Sequence, residues 1–184
     1  DRYGRTRWGQ SMLLARRLVE AGVSAVTVSL FGVENGIIGN WDDHAVNADC
    51  FKAMQQRAPI FDQGVAALVR DLYERGLDRK VLLIVTGEFG RTPKINAAGT
   101  GHPGRDHWPH AMSILLSGGG IRTGQVLGAT DARGEYVEEH PLSPNDLLAT
   151  VYHHMGVDPT REFPDHSGRP IPILDRTERI RELY

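Results

Sequence analysis

The sequence predicts an α/β fold, a three-layer sandwich in which a mostly parallel sheet lies between layers of helices. A helical pattern is followed by an apolar strand pattern twice in succession. Both strand patterns are almost uninterrupted apolar runs, which are typical of strands buried on both faces. Such helix and strand units form right-handed crossovers on a parallel sheet. At 184 residues, we expect a single domain spanning residues 1–184.

The first helix and strand unit covers residues 7–31. Apolar residues recur at helical spacing from Arg7 to Ala21, and Gly22 is expected to end that helix. The following VSAVTVSLF, residues 23–31, is rich in β-branched residues and predicts a buried strand. A Gly- and Asn-rich loop, residues 32–44, should follow at the carboxyl end of this strand.

The second unit covers residues 47–90. Asn47 is expected to cap a helical pattern that kinks or breaks at Pro59 and ends at Gly76, which predicts a pair of helices. KVLLIVTGEFG, residues 80–90, predicts a strand that ends in a small residue, a carboxylate and a glycine.

Less regular patterns follow in the second half of the chain. Residues 110–120 predict a third short strand, and residues 124–130 a fourth at an edge of the sheet. Ser143 as N-cap, Pro144 at the first helical position and Gly156 at the end predict a helix. The tail, residues 157–184, should form loops, a short strand and a last helical turn.

Composition excludes several classes of partner. The 21 Lys and Arg residues nearly balance the 23 Asp and Glu residues, and no basic stripe suggests nucleic acid. The longest apolar runs, residues 81–85 and 112–116, are too short to span a membrane. Cys50 is the only cysteine, so an internal disulfide is impossible.

Carboxylates and imidazoles are placed where the predicted strands end, which is where open parallel sheets bind ligands. Such side chains bind zinc, manganese or iron, and the lack of a cysteine cluster excludes a multi-thiolate zinc site. The candidates are Asp42, Asp43, His44, Glu88, His102, Asp106 and His107.

Sequence spacing indicates how these side chains are used. Asp42 and His44 are two residues apart, so in an extended segment both point the same way and reach one ion. Asp106 and His107 are adjacent and point apart, so they serve two ions, or one ligates while the other orients a partner. Glu88 follows an apolar strand and needs a cation or a donor to offset desolvation.

Structural alternatives stay open at each position. The aspartates of the DDH triplet also suit a turn in which their side chains accept from nearby backbone N–H groups. Glu88 also suits a structural ion pair with Arg91 or Arg105. No site role is assigned to His110, His140, His153 and His154.

Several motifs in order along the chain resemble the exported bacterial family called domain of unknown function 1501. That family looks like a branch of the alkaline phosphatase and sulfatase superfamily. The resemblance implies the C-terminal portion of an alkaline phosphatase-like sandwich and a periplasmic or exported location. The motifs are WDDH (41–44), TGEFGRT (86–92), GRDHW (104–108), SGGGI (117–121), GQVLGAT (124–130), SPNDLLATVYHHMGVDP (143–159) and SGRPIPIL (167–174).

The resemblance also implies a ligand set for zinc, manganese, calcium or iron. Glu88 and Phe89 stand where the superfamily has an Asp-His pair, and Asp106 compensates for the imidazole that Phe89 replaces. Arg91 or Arg105 is the candidate to hold the anionic group, because its planar fork matches phosphate and sulfate. The implied ligands are Asp42, His44, Glu88, Asp106 and His107.

The superfamily places its Ser, Thr or modified Cys nucleophile near the start of the fold. No such segment precedes Arg2, so the missing N-terminal half is an expected partner, and Cys50 is a poor substitute nucleophile. The leading hypothesis is a metal-dependent hydrolase of phosphate or sulfate esters. The alternative, motivated by Phe89, is a non-catalytic binding or scaffold protein that recognises sulfated polysaccharide.

Overall fold

The computed structural model describes residues 1–34, 37–38, 40–97, 99 and 101–184. Residues 35, 36 and 39 of the predicted loop, and residues 98 and 100, lie outside the described part. The elements are α1 Arg7–Glu20, β1 Val33–Glu34, β2 Ile37–Ile38, α2 Cys50–Glu74, β3 Leu82–Val85, β4 Gly90–Arg91, β5 His107–Trp108, β6 Leu115–Gly118, β7 Ala129–Thr130, β8 Val137–Glu139, α3 Pro144–Met155, β9 Glu162–Pro164, β10 Pro170–Pro172 and a 3-10 helix Arg181–Leu183.

The predicted mostly parallel sandwich of alkaline phosphatase type is wrong. Within the described residues, the strands form five two-stranded sheets, and each pair is antiparallel. The predicted second and third strands do form, as β3 and β6, but they pair antiparallel, with Leu82 opposite Gly118 and Val85 opposite Leu115. The crossover rule assumed two parallel neighbours, and the pairing of β3 with β6 removes that premise.

The predicted first strand is also wrong, because residues 23–31 form no strand in the described structure. Alternate residues Val26, Val28 and Leu30 are half-buried, whereas Phe31 is 66% exposed. β-Branched residues favour a pleated surface, but a strand also requires a neighbour that completes its hydrogen-bond ladder. Composition alone cannot supply that neighbour.

The chain divides into two compact units. Unit 1 consists of Asp1–Leu77 and Thr86–Ile114, and unit 2 of Asp78–Val85 and Leu115–Tyr184. No helix in the described ranges combines the length and the apolar character that a membrane crossing requires.

Unit 1 is built on helices α1 and α2. Helix α1 begins where predicted, because the Thr6 side chain accepts a hydrogen bond from the Gly9 N–H. A Cβ at Gly64 of α2 would lie 2.8 Å from the sulfur of Met12, so the glycine permits close approach of the two helices. Trp8, Met12, Leu68 and Leu72 lie buried in this unit.

The predicted division into two helices at Pro59 and the predicted cap at Asn47 are both wrong. Helix α2 runs unbroken from Cys50 to Glu74 and includes Pro59. Its cap is Asp49, whose side chain accepts from the backbone N–H groups of Phe51 and Lys52. Asn47 instead donates to the carbonyl of Asp42 (3.0 Å) and so supports the loop that carries the candidate ligands.

Unit 2 contains the helix predicted to begin at Pro144, which is α3. Ser143 and Asp146 form a capping box, and Gly156 ends the helix in the left-handed conformation, as predicted. Ile121, Ile180 and Leu183 form a buried cluster in this unit.

Candidate metal centre

The WDDH segment places its two aspartates on opposite sides of the chain. Asp43 is buried and forms an ion pair with Arg57, a helix α2 side chain that is only 1% exposed. Asp42 and His44 point the other way, and His44 Nε2 lies 3.1 Å from Asp42 Oδ1. The predicted convergence of Asp42 and His44 is therefore confirmed, while Asp43 anchors the loop.

Trp41 fixes the start of this segment by packing rather than by lining the site. Its ring stacks on Trp8 at 5.6 Å and meets Phe61 edge-on at 5.4 Å. The Arg57 guanidinium lies 5.0 Å from the Trp41 ring centroid, and Trp41 Nε1 donates to the carbonyl of Leu30. These contacts hold the segment against both helices of unit 1.

Residues 103–106 pass directly over the backbone of the WDDH segment. The Cys50 N–H donates to the carbonyl of Pro103 (2.8 Å), and the Arg105 N–H donates to the carbonyl of Asp43 (2.9 Å). A Cβ at Gly104 would lie 2.0 Å from the backbone nitrogen of Ala45. Only glycine permits this approach, which positions the next residues of the chain beside His44.

Strand β5 then presents His107 beside Arg91. Arg91 and His107 are directly opposite each other in the antiparallel pair of β4 and β5. A Cβ at Gly90 would lie 1.8 Å from the carbonyl oxygen of Ala111, so this strand also requires glycine. The TGEFGRT and GRDHW motifs thus contribute to one short hairpin-like pairing within unit 1.

Asp42, His44 and His107 bring three ligand atoms together. His107 Nε2 lies 2.9 Å from Asp42 Oδ1 and 3.3 Å from His44 Nε2, and His44 Nε2 lies 3.1 Å from the same oxygen. A tetrahedral zinc ion with bonds of about 2.0–2.1 Å holds its ligand atoms roughly 3.3 Å apart. The triad therefore fits one divalent ion, and the described residues offer this as a possible metal-binding group.

Asp106 orients His44 instead of joining the triad. Because an ionised carboxylate only accepts, His44 Nδ1–H donates to Asp106 Oδ1 (2.8 Å), which leaves Nε2 for the site. Asn96 Nδ2 donates to the other carboxylate oxygen (2.9 Å), and the Asp106 N–H donates to Thr92 Oγ1 (3.1 Å). The His44 contact, followed by Asn96, lowers the pKa of Asp106. A carboxylate such as that of Asp106 is the usual partner of the second ring nitrogen of a metal-binding imidazole.

Asp42 carries the negative charge of the triad. The hydrogen bond from His107, followed by the Arg91 guanidinium, lowers the pKa of Asp42 to about 2. Arg91 Nη1 lies 2.6 Å from Asp42 Oδ1, the oxygen that faces both imidazoles. One carboxylate oxygen therefore has the Arg91 guanidinium and the donating His107 imidazole beside it, and it is ionised at neutral pH.

Phe89 supports His107 and offers no ligand. Its ring centroid lies 4.3 Å from that of His107, and the Arg91 guanidinium lies 5.7 Å from the Phe89 centroid. The aromatic ring at the position of the expected imidazole thus forms a wall on which both His107 and Arg91 rest.

The remaining predicted residues lie outside the triad. Glu88 is exposed, and among the described residues no ion pair joins it to Arg91 or Arg105. Arg105 donates to the carbonyl of Thr92 (2.9 Å), and His102 is exposed. The structure therefore does not bring the full predicted set of five ligands together.

Sequence reasoning did not identify the residues that position the triad: Asn47, Thr92, Asn96 and Gly104. Asn96 pairs with Gly104 through two backbone hydrogen bonds of 2.9 and 2.7 Å. The glycine and the polar residues near GRDHW were the available signals, but their partners are distant in sequence.

The described residues thus form helices, short antiparallel strands and a candidate mononuclear metal centre. A family model described as protein of unknown function (DUF1501) matches residues 1–184. The chain belongs to this family. No curated protein and no solved structure matches the chain.

Proposed function

We propose that this chain is a metal-dependent hydrolase of phosphate or sulfate esters, with the ion held by Asp42, His44 and His107. The spacing of the three ligand atoms, 2.9–3.3 Å, is the observation that carries the proposal. Three protein ligands leave a position for water or substrate, as in catalytic rather than structural zinc sites. Zinc fits this set best, because two imidazoles and one carboxylate are ligands that it prefers.

The surroundings of the triad suit an anionic ester. Arg91 is the cation nearest to the ligand oxygen, and its fork matches the oxygens of phosphate and sulfate. The His107 side chain is 51% exposed, so the site is open to a solute. A bound divalent ion would lower the pKa of a water molecule and neutralise charge on the ester oxygens.

Each residue has a separate task in this proposal. Asp106 holds His44 in the tautomer that presents Nε2, and Asp42 remains ionised beside the two imidazoles. Phe89 limits the orientation of His107. In the hydrolysis, water oxygen bonds to phosphorus or sulfur, the bond to the ester oxygen breaks, and the alcohol leaves with a proton.

The relationship to alkaline phosphatases and sulfatases, and the place of this chain in the C-terminal portion of such a protein, stay proposals that rest on the motifs alone. The same holds for an exported location and for a sulfated glycan as substrate. The antiparallel pairing of β3 with β6 gives no support to the relationship with alkaline phosphatases and sulfatases. The proposed chemistry therefore rests on the triad.

The test is a zinc titration of chelator-stripped protein, followed by assays with aryl phosphate and aryl sulfate. We expect one Zn²⁺ per chain, loss of that ion in His107→Ala, and turnover that a chelator removes. His110→Ala is the matched control, because this histidine lies in the same segment and packs against Trp108 at 4.8 Å. It should bind zinc as the unaltered chain does.

Two results would contradict the proposal in different ways. Zinc binding that persists unchanged in His107→Ala would reject the triad. Zinc binding without turnover of either ester would reject the hydrolase and leave the binding or scaffold function.

A further inference from the structure

We propose that Arg91 couples metal binding to anion binding: it opposes the ion when no anion is present and holds the anion once the ion is bound. This inference rests on the proposed function, because it assumes that Asp42, His44 and His107 bind the ion. It adds an order of binding, with the metal and the anion each raising the affinity for the other.

Arg91 competes for the oxygen that the ion requires. Its Nη1 lies 2.6 Å from Asp42 Oδ1, closer than either imidazole nitrogen, which lie at 2.9 and 3.1 Å. An ion bonded to that oxygen would be separated from the guanidinium by one atom only. Two like charges at such a distance repel each other strongly in a partly buried site.

The contact with Asp42 leaves the Nη1 donor of Arg91 without a well-aligned hydrogen bond. Although Nη1 lies close to the carboxylate, it is buried and makes no aligned hydrogen bond with any described residue. A buried N–H without an aligned acceptor is costly. An oxyanion beside the triad would supply that acceptor, and its charge would also offset the repulsion between the ion and the guanidinium.

Arg91 has the surroundings to change partner without leaving the site. Its side chain is 24% exposed, and its guanidinium lies over the Phe89 ring at 5.7 Å from the centroid. The backbone of Arg91 is fixed opposite His107 in the pair of β4 and β5. A change of side-chain rotamer is therefore enough to move the charge from Asp42 to an anion.

The test measures Zn²⁺ affinity with a competing indicator, in the absence and presence of inorganic phosphate. Without phosphate, Arg91→Gln should bind Zn²⁺ about tenfold more tightly than the unaltered chain, because the competing charge is gone. Phosphate should raise the Zn²⁺ affinity of the unaltered chain by about tenfold and that of Arg91→Gln much less. By reciprocity, Zn²⁺ must raise the phosphate affinity by the same factor.

Arg5→Gln is the matched control, since Arg5 is 90% exposed and pairs with Asp1 rather than with the triad. It should behave as the unaltered chain in both buffers. If Arg91→Gln does not fold, Arg91→Lys tests the proposal instead, because lysine keeps the positive charge and lacks the planar fork of donors. Without phosphate, Arg91→Lys should bind Zn²⁺ with the same affinity as the unaltered chain. Phosphate should raise that affinity much less than it does in the unaltered chain.

The proposal is overturned if Arg91→Gln binds Zn²⁺ no more tightly than the unaltered chain, or if phosphate has an equal effect on both. For Arg91→Lys, an undiminished phosphate effect would overturn it. Failure of the proposed function has another signature: His107→Ala would then bind Zn²⁺ as well as the unaltered chain.

Discussion

Asp106 determines which nitrogen of His44 faces Asp42 and His107. The carboxylate accepts from Nδ1, and Asn96 and Thr92 hold the aspartate itself. Such a partner fixes the tautomer and the orientation of the imidazole, so its loss weakens metal binding without removing a ligand.

Asp106→Asn should therefore retain one Zn²⁺ per chain but bind it about 10–100-fold more weakly. Calorimetric titration of both chains would give the stoichiometry and the affinity separately. Asp62→Asn, at an exposed position of α2, is the control for the loss of one negative charge in unit 1. If Asp106→Asn loses the ion completely, Asp106 is a ligand, as the sequence first suggested.

At the level of single residues, the sequence predicted what short-range geometry determines. The spacing of Asp42 and His44 placed both side chains on one side of the segment, and His44 Nε2 indeed lies 3.1 Å from Asp42 Oδ1. The same reasoning showed that Asp106 and His107 diverge, but it could not choose which of them ligates. That choice depends on Asn96 and on the path of residues 103–106, which are tertiary features.

At the level of the elements, the site depends on the path of the loop of residues 103–106. Its contact with the backbone of His44 and Ala45 is possible only because Gly104 has no side chain. The glycine thus acts on the site without contacting any ligand atom.

Gly104→Ala should destabilise the protein by about 1–3 kcal/mol and weaken Zn²⁺ binding, because the new methyl group forces the loop away from Ala45. Denaturant unfolding and zinc titration would measure the two effects. Gly87→Ala is the matched control, since its Cβ would meet nothing closer than the Phe89 carbonyl oxygen at 3.9 Å. Equal stability of the two variants would contradict the proposed role of Gly104.

Elements with strong local signals were predicted well, and elements that depend on distant partners were not. Helices α1 and α3 are capped by Thr6 and Ser143, and each cap depends only on a hydrogen bond to a residue nearby in the sequence. The β-branched residues 23–31 have strand propensity but no paired neighbour in the described structure. Similarly, nothing in the sequence of β3 reveals that β6 pairs with it antiparallel.

On the scale of the whole molecule, the candidate site belongs entirely to unit 1. Asp42 and His44 come from the first segment of that unit, and Arg91, Asp106 and His107 come from the second. The candidate metal centre therefore joins the two chain segments from which unit 1 is built. Asp42 and His107 are 65 residues apart in the sequence. Their convergence was predicted from an expected parallel sheet, and that sheet is wrong.

A bound ion stabilises the structure that holds its ligands, by an amount that grows with the ratio of ion concentration to dissociation constant. Because the ligands belong to unit 1, Zn²⁺ should slow local opening there more than in unit 2. Hydrogen exchange of the unaltered chain should become slower at residues 41–44 and in β4 and β5, with little change in α3. His107→Ala should show no such effect of Zn²⁺. Equal slowing in α3 would instead mean that both units open only together, in one cooperative transition.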